Sequence, residues 1–152
     1  MIMTRQHVIA NIAFDCISKR VEESETAKNK EEKKKAIDPK KYSALANKFP
    51  SLILQNGLAQ ATGFLLAKKE TEHLALLNDL ALVLSHSESF HFDPNTASEA
   101  RGQALHKLII DSDLTKLMQQ TQLTLEASGA LRRYVQGLMT TDEPKDTETN
   151  NA

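Results

Sequence analysis

Phe49-Pro-Ser-Leu-Ile-Leu-Gln-Asn-Gly-Leu-Ala-Gln-Ala-Thr-Gly-Phe-Leu-Leu-Ala-Lys68 is the most apolar stretch of this 152-residue chain, and its middle is unusually polar. Leu54, Leu58, Ala61 and Leu65 recur at helical spacing, with Ile53, Gly57, Gln60 and Phe64 beside them. An apolar stripe that wide belongs to a helix packed on more than one neighbour. Three uncharged amides, Gln55, Asn56 and Gln60, interrupt it. So do Gly57 and Gly63, each costing about 1 kcal/mol of helix propensity against Ala. A helix carrying such residues serves close approach or hydrogen bonding, unless it is simply imperfect.

Outward from that stretch the same period repeats. Toward the N-terminus, Asp38 caps a helix that Pro39 opens, and Tyr42, Leu45, Ala46 and Phe49 form its face. Pro50 is expected to break or kink it, with the chain then helical to about Lys69. A first helix starts near Thr4, a possible N-cap, and buries Ile9, Ile12, Ala13, Cys16, Ile17 and Val21 before its pattern fades. Residues 22–37 are Lys/Glu-rich and read as an exposed connection. Toward the C-terminus, a helix from about Glu70 to His86 carries Leu74, Leu77, Leu80, Ala81 and Leu84. Ser85 to Asn95 reads as a loop. Thr96 and Glu99 have the spacing of a capping box before a short helix with Leu105, Leu108 and Ile109. Asp111-Ser112-Asp113 caps a long last helix, whose stripe includes Leu114, Leu117, Met118, Leu125, Leu131 and Val135. The expected fold is all-α, a compact bundle of five to six helices in one domain over residues 1–140, with a disordered polar tail over 141–152.

Composition supports this reading. Aromatic residues are 5% of the chain, Trp is absent, and no strand flanked by hairpin turns is visible. The net charge of -1 excludes a polyanion binder that works by bulk charge. Its distribution is uneven: Lys19 to Lys48 holds ten Lys/Arg against six Asp/Glu, and Pro50 to Leu131 holds five against nine. A basic segment on a mildly acidic body can bind a phosphate backbone locally, although a Lys-rich run can equally be a solvated linker. The lone Cys16 sits in a helical pattern and is expected in the core. No apolar run is long enough for a signal peptide or a membrane span, so the expected compartment is the cytoplasm.

Reactive constellations are weak. Glu70/His73 and Glu88/His91 have Glu-x-x-His spacing, and two such pairs with two further glutamates hold di-metal centres in bundles. Here the pairs are close in sequence, the second falls in a loop, and the first helix offers no inward Glu. His86, Glu88, His91 and Asp93 could crowd one loop, but no Cys joins them. There is no Walker loop and no Gly-x-Ser-x-Gly elbow. No enzyme activity, metal or cofactor is expected.

Binding residues remain. Arg5, Lys19, Arg20, Lys41, Lys48, Arg132 and Arg133 are the candidates for phosphate contact, which needs a positive donor and no base reading. Each could instead be a solubilising surface charge. Lys68 and Lys69 suit the negative end of a helix dipole. Gln55, Asn56 and Gln60 are either amide contacts to the same phosphate-bearing partner or interhelical hydrogen bonds, with the second favoured.

Lys40-Lys41-Tyr42, Ala46, Phe49-Pro50-Ser51-Leu52-Ile53, Gln55-Asn56-Gly57-Leu58-Ala59-Gln60 and Phe64-Leu65, followed by Leu131-Arg132-Arg133-Tyr134-Val135 on a long last helix, resemble the small subunit of the type III-B (Cmr) CRISPR RNA-guided effector complex. The opening Thr4-Arg5-Gln6 fits as well. The likeness runs from about Met3 to Met139 and leaves out the Lys/Glu linker, the His-rich loop and the tail. It implies a non-catalytic all-α subunit. Its partners would be other Cmr subunits including the repeated backbone subunit, copies of itself in a stack, and the guide and target RNA, with no membrane. An A-form duplex is gripped by shape and backbone, and base pairing carries the sequence. The alternative is a helical adaptor that binds a partner protein through an apolar groove, without nucleic acid. A continuous basic stripe on the folded surface favours the first reading and scattered charges the second.

Overall fold

The computed structural model describes residues 4–27, 36–87, 90–92 and 96–139. Among them are six α-helices and one 3-10 turn: α1 Arg5–Thr26, α2 Pro39–Asn56, α3 Leu58–Lys68, α4 Thr71–Leu84, the turn Ser98–Ala100, α5 Arg101–Ile110 and α6 Leu114–Leu138. No strand occurs among the described residues, and the all-α bundle expected from periodicity is the fold observed. No described helix is long and apolar enough to cross a membrane.

Three of the helix starts use the caps legible in the sequence. Thr4 Oγ1 accepts from the His7 N–H, Asp38 Oδ1 from Lys40 N–H, and Asp113 Oδ1 from Lys116 N–H. Each satisfies one of the donors a helix N-terminus leaves open. Ile37 and Tyr42, at the two staple positions around the Asp38 cap, are both buried and fix how the chain enters α2.

The stretch 49–68 is not one helix. Pro50 lies inside α2, which continues past it to Asn56. The break comes at Gly57, whose φ of 87° and ψ of 159° are open only to glycine. A Cβ at Gly57 would touch nothing, so the backbone dihedral, and not a close neighbour, demands the glycine. The break also splits the expected apolar row: Leu58, Ala61 and Leu65 are buried, but Leu54 is 73% exposed. Close approach does occur at Gly63, where a Cβ would stand 3.3 Å from His106 Cε1. Next to it, Thr62 Oγ1 lies 2.8 Å from His106 Nδ1, joining α3 to α5. The amides do not bridge helices. Asn56 Nδ2 donates to Leu52 O within α2, and Gln55 and Gln60 are exposed without a hydrogen bond among the described residues.

The helix that the others surround is α4. It touches α1, α2, α3, α5 and α6. Seven of its apolar side chains, from Ala75 to Leu84, are buried. Phe90, in the loop after it, is fully buried. The start of α5 is capped by tertiary contact in place of the Thr96/Glu99 box: Asn78 Oδ1 of α4 accepts from Gly102 N–H at 2.7 Å. Helices α1 and α6 run parallel, since Arg5 meets Glu126 and Phe14 stacks edge-on against Tyr134. The first turns of α6 lie outside the core: Leu114 and Met118, expected on the inner stripe, are 72% and 66% exposed. α1 reaches Thr26, beyond the point where its apolar pattern fades. Residues 28–35 of the Lys/Glu connection and the tail from 140 onward lie outside the described residues.

Candidate nucleic-acid interface

The candidate basic residues divide into engaged and unengaged ones. Arg20 is engaged. Its Nε and Nη2 donate to Asp79 Oδ2 and Oδ1 at 3.0 and 2.9 Å, and Tyr42 Oη donates to the same Oδ2 at 2.6 Å. This network ties α1, α2 and α4 together in the core. Burial works against the guanidinium charge, but the hydrogen bonds and charge of Asp79 outweigh it and raise the Arg20 pKa. Burial and then the Asp79 charge push the Tyr42 phenol well above its ordinary value. The neighbouring Cys16 thiol is pushed up to about 12, first by burial and then by Asp79, so it stays protonated and unreactive. Arg5 is engaged at the surface, donating from Nε and Nη2 to the two Glu126 oxygens at 3.1 and 2.7 Å. A phosphate at either arginine would have to displace a carboxylate held in bidentate geometry.

Lys19, Lys41, Arg132 and Arg133 are exposed and have no ion-pair partner among the described residues. Lys19 stands with Arg20, Glu23, Glu99 and Arg101 around a pocket of about 380 Å³ floored by Cys16, Asn78 and Asp79. Its positive and negative groups are balanced.

A different balance holds along α2. Lys41 and Lys48 are spaced seven residues apart and share one face. Lys41 borders a groove with Lys69 from the end of α3, and Asp38, Glu70 and Glu72 line the same groove. Glu72 is buried and accepts from the Asp38 N–H at 2.9 Å. Two turns along α2, the Lys48 Nζ lies 5.9 Å from the Phe64 ring centroid, and Lys68 Nζ lies 5.7 Å from it. The edge of His73 meets the same ring at 5.5 Å. Lys41 and Lys69 thus share one groove and Lys48 and Lys68 share the Phe64 ring, and the α2 face that carries both Lys41 and Lys48 links the two pairs into a lysine strip. Asn47, next to Lys48, accepts from Gln136 Nε2 of α6 at 3.1 Å. Arg132 and Arg133 are exposed and stand one helical turn before Gln136 on α6.

Lys68 and Phe64 were not among the candidates read from the sequence. Lys68 is explained there by the helix dipole alone, and Phe64 by core packing. Only the fold shows that Phe64 meets lysines from two elements. Lys69 is the C-cap of α3 in the left-handed conformation, with φ of 56°. Glycine is the usual residue at such a position.

The Glu-x-x-His spacing yields no metal centre that can be described. Glu70 Oε2 and His73 Nδ1 are 3.7 Å apart as an i,i+3 pair in which Glu70 is exposed and His73 largely buried, and Glu88 and Asp93 lie outside the described residues. No group of three His, Cys, Asp or Glu among the described residues could hold a metal ion.

Comparison with known proteins bears on what this surface serves. The family model Cas_Cmr5, described as CRISPR-associated protein, matches residues 5–138. The chain is similar to the CRISPR system Cmr subunit Cmr5 of Thermus thermophilus, being 32% identical over 98 residues, 64% of this chain and 75% of that protein. It is also similar to the crystal structure of a CRISPR-associated Cmr5 family protein from Thermus thermophilus. The TM-score is 0.67 and the identity 25%, covering 91% of this chain and all of that one. Matched from the first residue of α1 to the last of α6, the chain belongs to the Cmr5 family of CRISPR-associated proteins.

Proposed function

We propose that the protein is a non-catalytic, cytoplasmic structural subunit of the type III-B CRISPR effector complex. It stacks with copies of itself beside the repeated backbone subunit and adds basic contacts to the backbone of the guide and target RNA. The observation that carries the RNA part is the strip Lys41–Lys48–Lys68–Lys69, together with the exposed Arg132 and Arg133 on α6. None of its lysines has an ion-pair partner among the described residues, and each is a positive donor of the kind that phosphate contact uses, with Asp38, Glu70 and Glu72 lining the groove beside Lys41 and Lys69. Lys19 adds a further contact at a separate place. Arg5 and Arg20 contribute least, because each already holds a carboxylate.

The alternative reading, an adaptor that binds a partner protein without nucleic acid, has its own support. Ile110, Leu114 and Met118 are 53%, 72% and 66% exposed around the turn from α5 to α6. Apolar side chains gathered at one place on a surface mark contact with other proteins. In this reading a partner protein covers that end.

Tagged protein recovered from its native cells is expected to bring down Cmr subunits together with guide RNA. Reversing Lys41, Lys48 and Lys68 to Glu should weaken RNA binding and reduce its salt slope by about one per lysine removed. Recovery of neither CRISPR proteins nor RNA would overturn the proposal.

A further inference from the structure

We infer that Phe64 and its two lysines form a receiving site for one unpaired RNA base, so that this surface prefers single-stranded or flipped-out nucleotides to a continuous duplex. The inference rests on the RNA contact proposed above and adds the chemical class of its target. Three observations lead to it. Phe64 is only half-buried, although Leu58 and Leu65 of the same helix are enclosed. Ammonium groups from two different helices, Lys48 of α2 and Lys68 of α3, lie 5.9 and 5.7 Å from its centroid, near the outer limit of a cation–π contact. Neither lysine has an ion-pair partner among the described residues.

A cation near the outer limit of contact with the face of a half-buried ring is easily displaced. A nucleobase stacked on that ring gains more, because it covers the face with apolar area. As the base enters, both ammonium groups swing off the ring and meet the phosphates on either side of the stacked nucleotide. Each group thus exchanges a weak partner for a strong one. A base inside a duplex cannot do this, since both of its faces are already stacked. His73 packs edge-on against Phe64 at 5.5 Å and supports the ring from the side of α4.

The test uses the full chain at low salt with a short single-stranded RNA carrying one 2-aminopurine, and with the corresponding duplex. Wild-type protein should quench the reporter in the single strand and bind that strand more tightly than the duplex. Phe64→Leu should abolish quenching and weaken single-strand binding about tenfold, the loss of one stacked base, with duplex binding unchanged. Phe64→Tyr should restore both, and a thermal melt of each variant shows whether it is folded. Lys48→Ala with Lys68→Ala should weaken both RNAs and flatten the salt dependence. Unquenched reporter and unchanged strand preference in folded Phe64→Leu would overturn the stacking site yet leave the lysine strip standing. Failure of the wild-type protein to bind either RNA would overturn both.

Discussion

Asp79 accepts hydrogen bonds from two helices to which it does not belong, through Arg20 Nε and Nη2 and through Tyr42 Oη. Asp79 and Tyr42 are buried, and the Arg20 side chain is 22% exposed. Removing one partner from a buried pair leaves the other charge uncompensated. Asp79→Ala should therefore destabilise the fold by about 3 kcal/mol. Tyr42→Phe keeps the ion pair and should cost only about 1–2 kcal/mol. Urea denaturation of the two variants checks the order. Cys16 makes the same centre sensitive to alkali. Its folded pKa of about 12 stands above the ordinary value of 9.0, so the unfolded chain gives up the proton first. The stability from keeping the thiol neutral is complete below pH 9.0 and is lost as pH rises toward about 12. Urea midpoints compared at about pH 8 and about pH 10.5 should fall less steeply for Cys16→Ala than for the wild type. An equal slope would mean that Tyr42, shifted in the same direction, dominates the window.

At the scale of the helices, two positions settle how neighbours meet. A Cβ on Gly102 would lie 2.7 Å from both Asn78 Oδ1 and Leu77 Cγ. Leu77 is fully buried and has no room to yield. Gly102→Ala is expected to cost about 2 kcal/mol through overpacking, and to loosen the cap that Asn78 provides. A lowered melting temperature with faster amide exchange in the first turn of α5 would show it. Lys69 presents the opposite case. Its left-handed backbone disfavours any side chain, so Lys69→Gly should stabilise the fold by about 1 kcal/mol. The same change removes a cation from the strip and should weaken RNA binding. A variant that gains stability without losing affinity would exclude Lys69 from the interface.

For the molecule as a whole, the surface separates into a basic strip along α2 and an apolar end at the turn from α5 to α6. The double change Leu114→Ser and Met118→Ser removes side chains that contribute little to the core. Its melting temperature should stay near that of the wild type, while recovery of neighbouring Cmr subunits in a pull-down should fall. A large loss of stability would show that these residues pack inward in solution. The strip and the apolar end were legible to different degrees. Lys41, Lys48, Arg132 and Arg133 stand out as cations by residue type alone. Their grouping does not, because Lys48 and Lys68 are twenty positions apart and meet only through Phe64. Arg5 and Arg20 look the same in sequence as the exposed cations, since nothing local reveals that Glu126 and Asp79 will face them.

The sequence by itself determined the all-α fold, three of the helix caps and the family, but it set the break of the central stretch at Pro50, where the chain breaks at Gly57, and a capping box at Thr96 and Glu99, which does not cap α5. Spacing of apolar residues, a Ser/Thr/Asp cap and a proline at the first turn act within a few residues, so they need no tertiary information. It also held the motif at the end of α2, although the turn at Gly57 inverts the meaning of its amides, which lie in solvent. Tertiary structure alone decided that α4 lies at the centre, that Leu114 and Met118 remain outside, and which arginines are held by carboxylates. Those outcomes depend on which helix face meets which neighbour. Such meetings join residues far apart in the chain, and no local pattern encodes them.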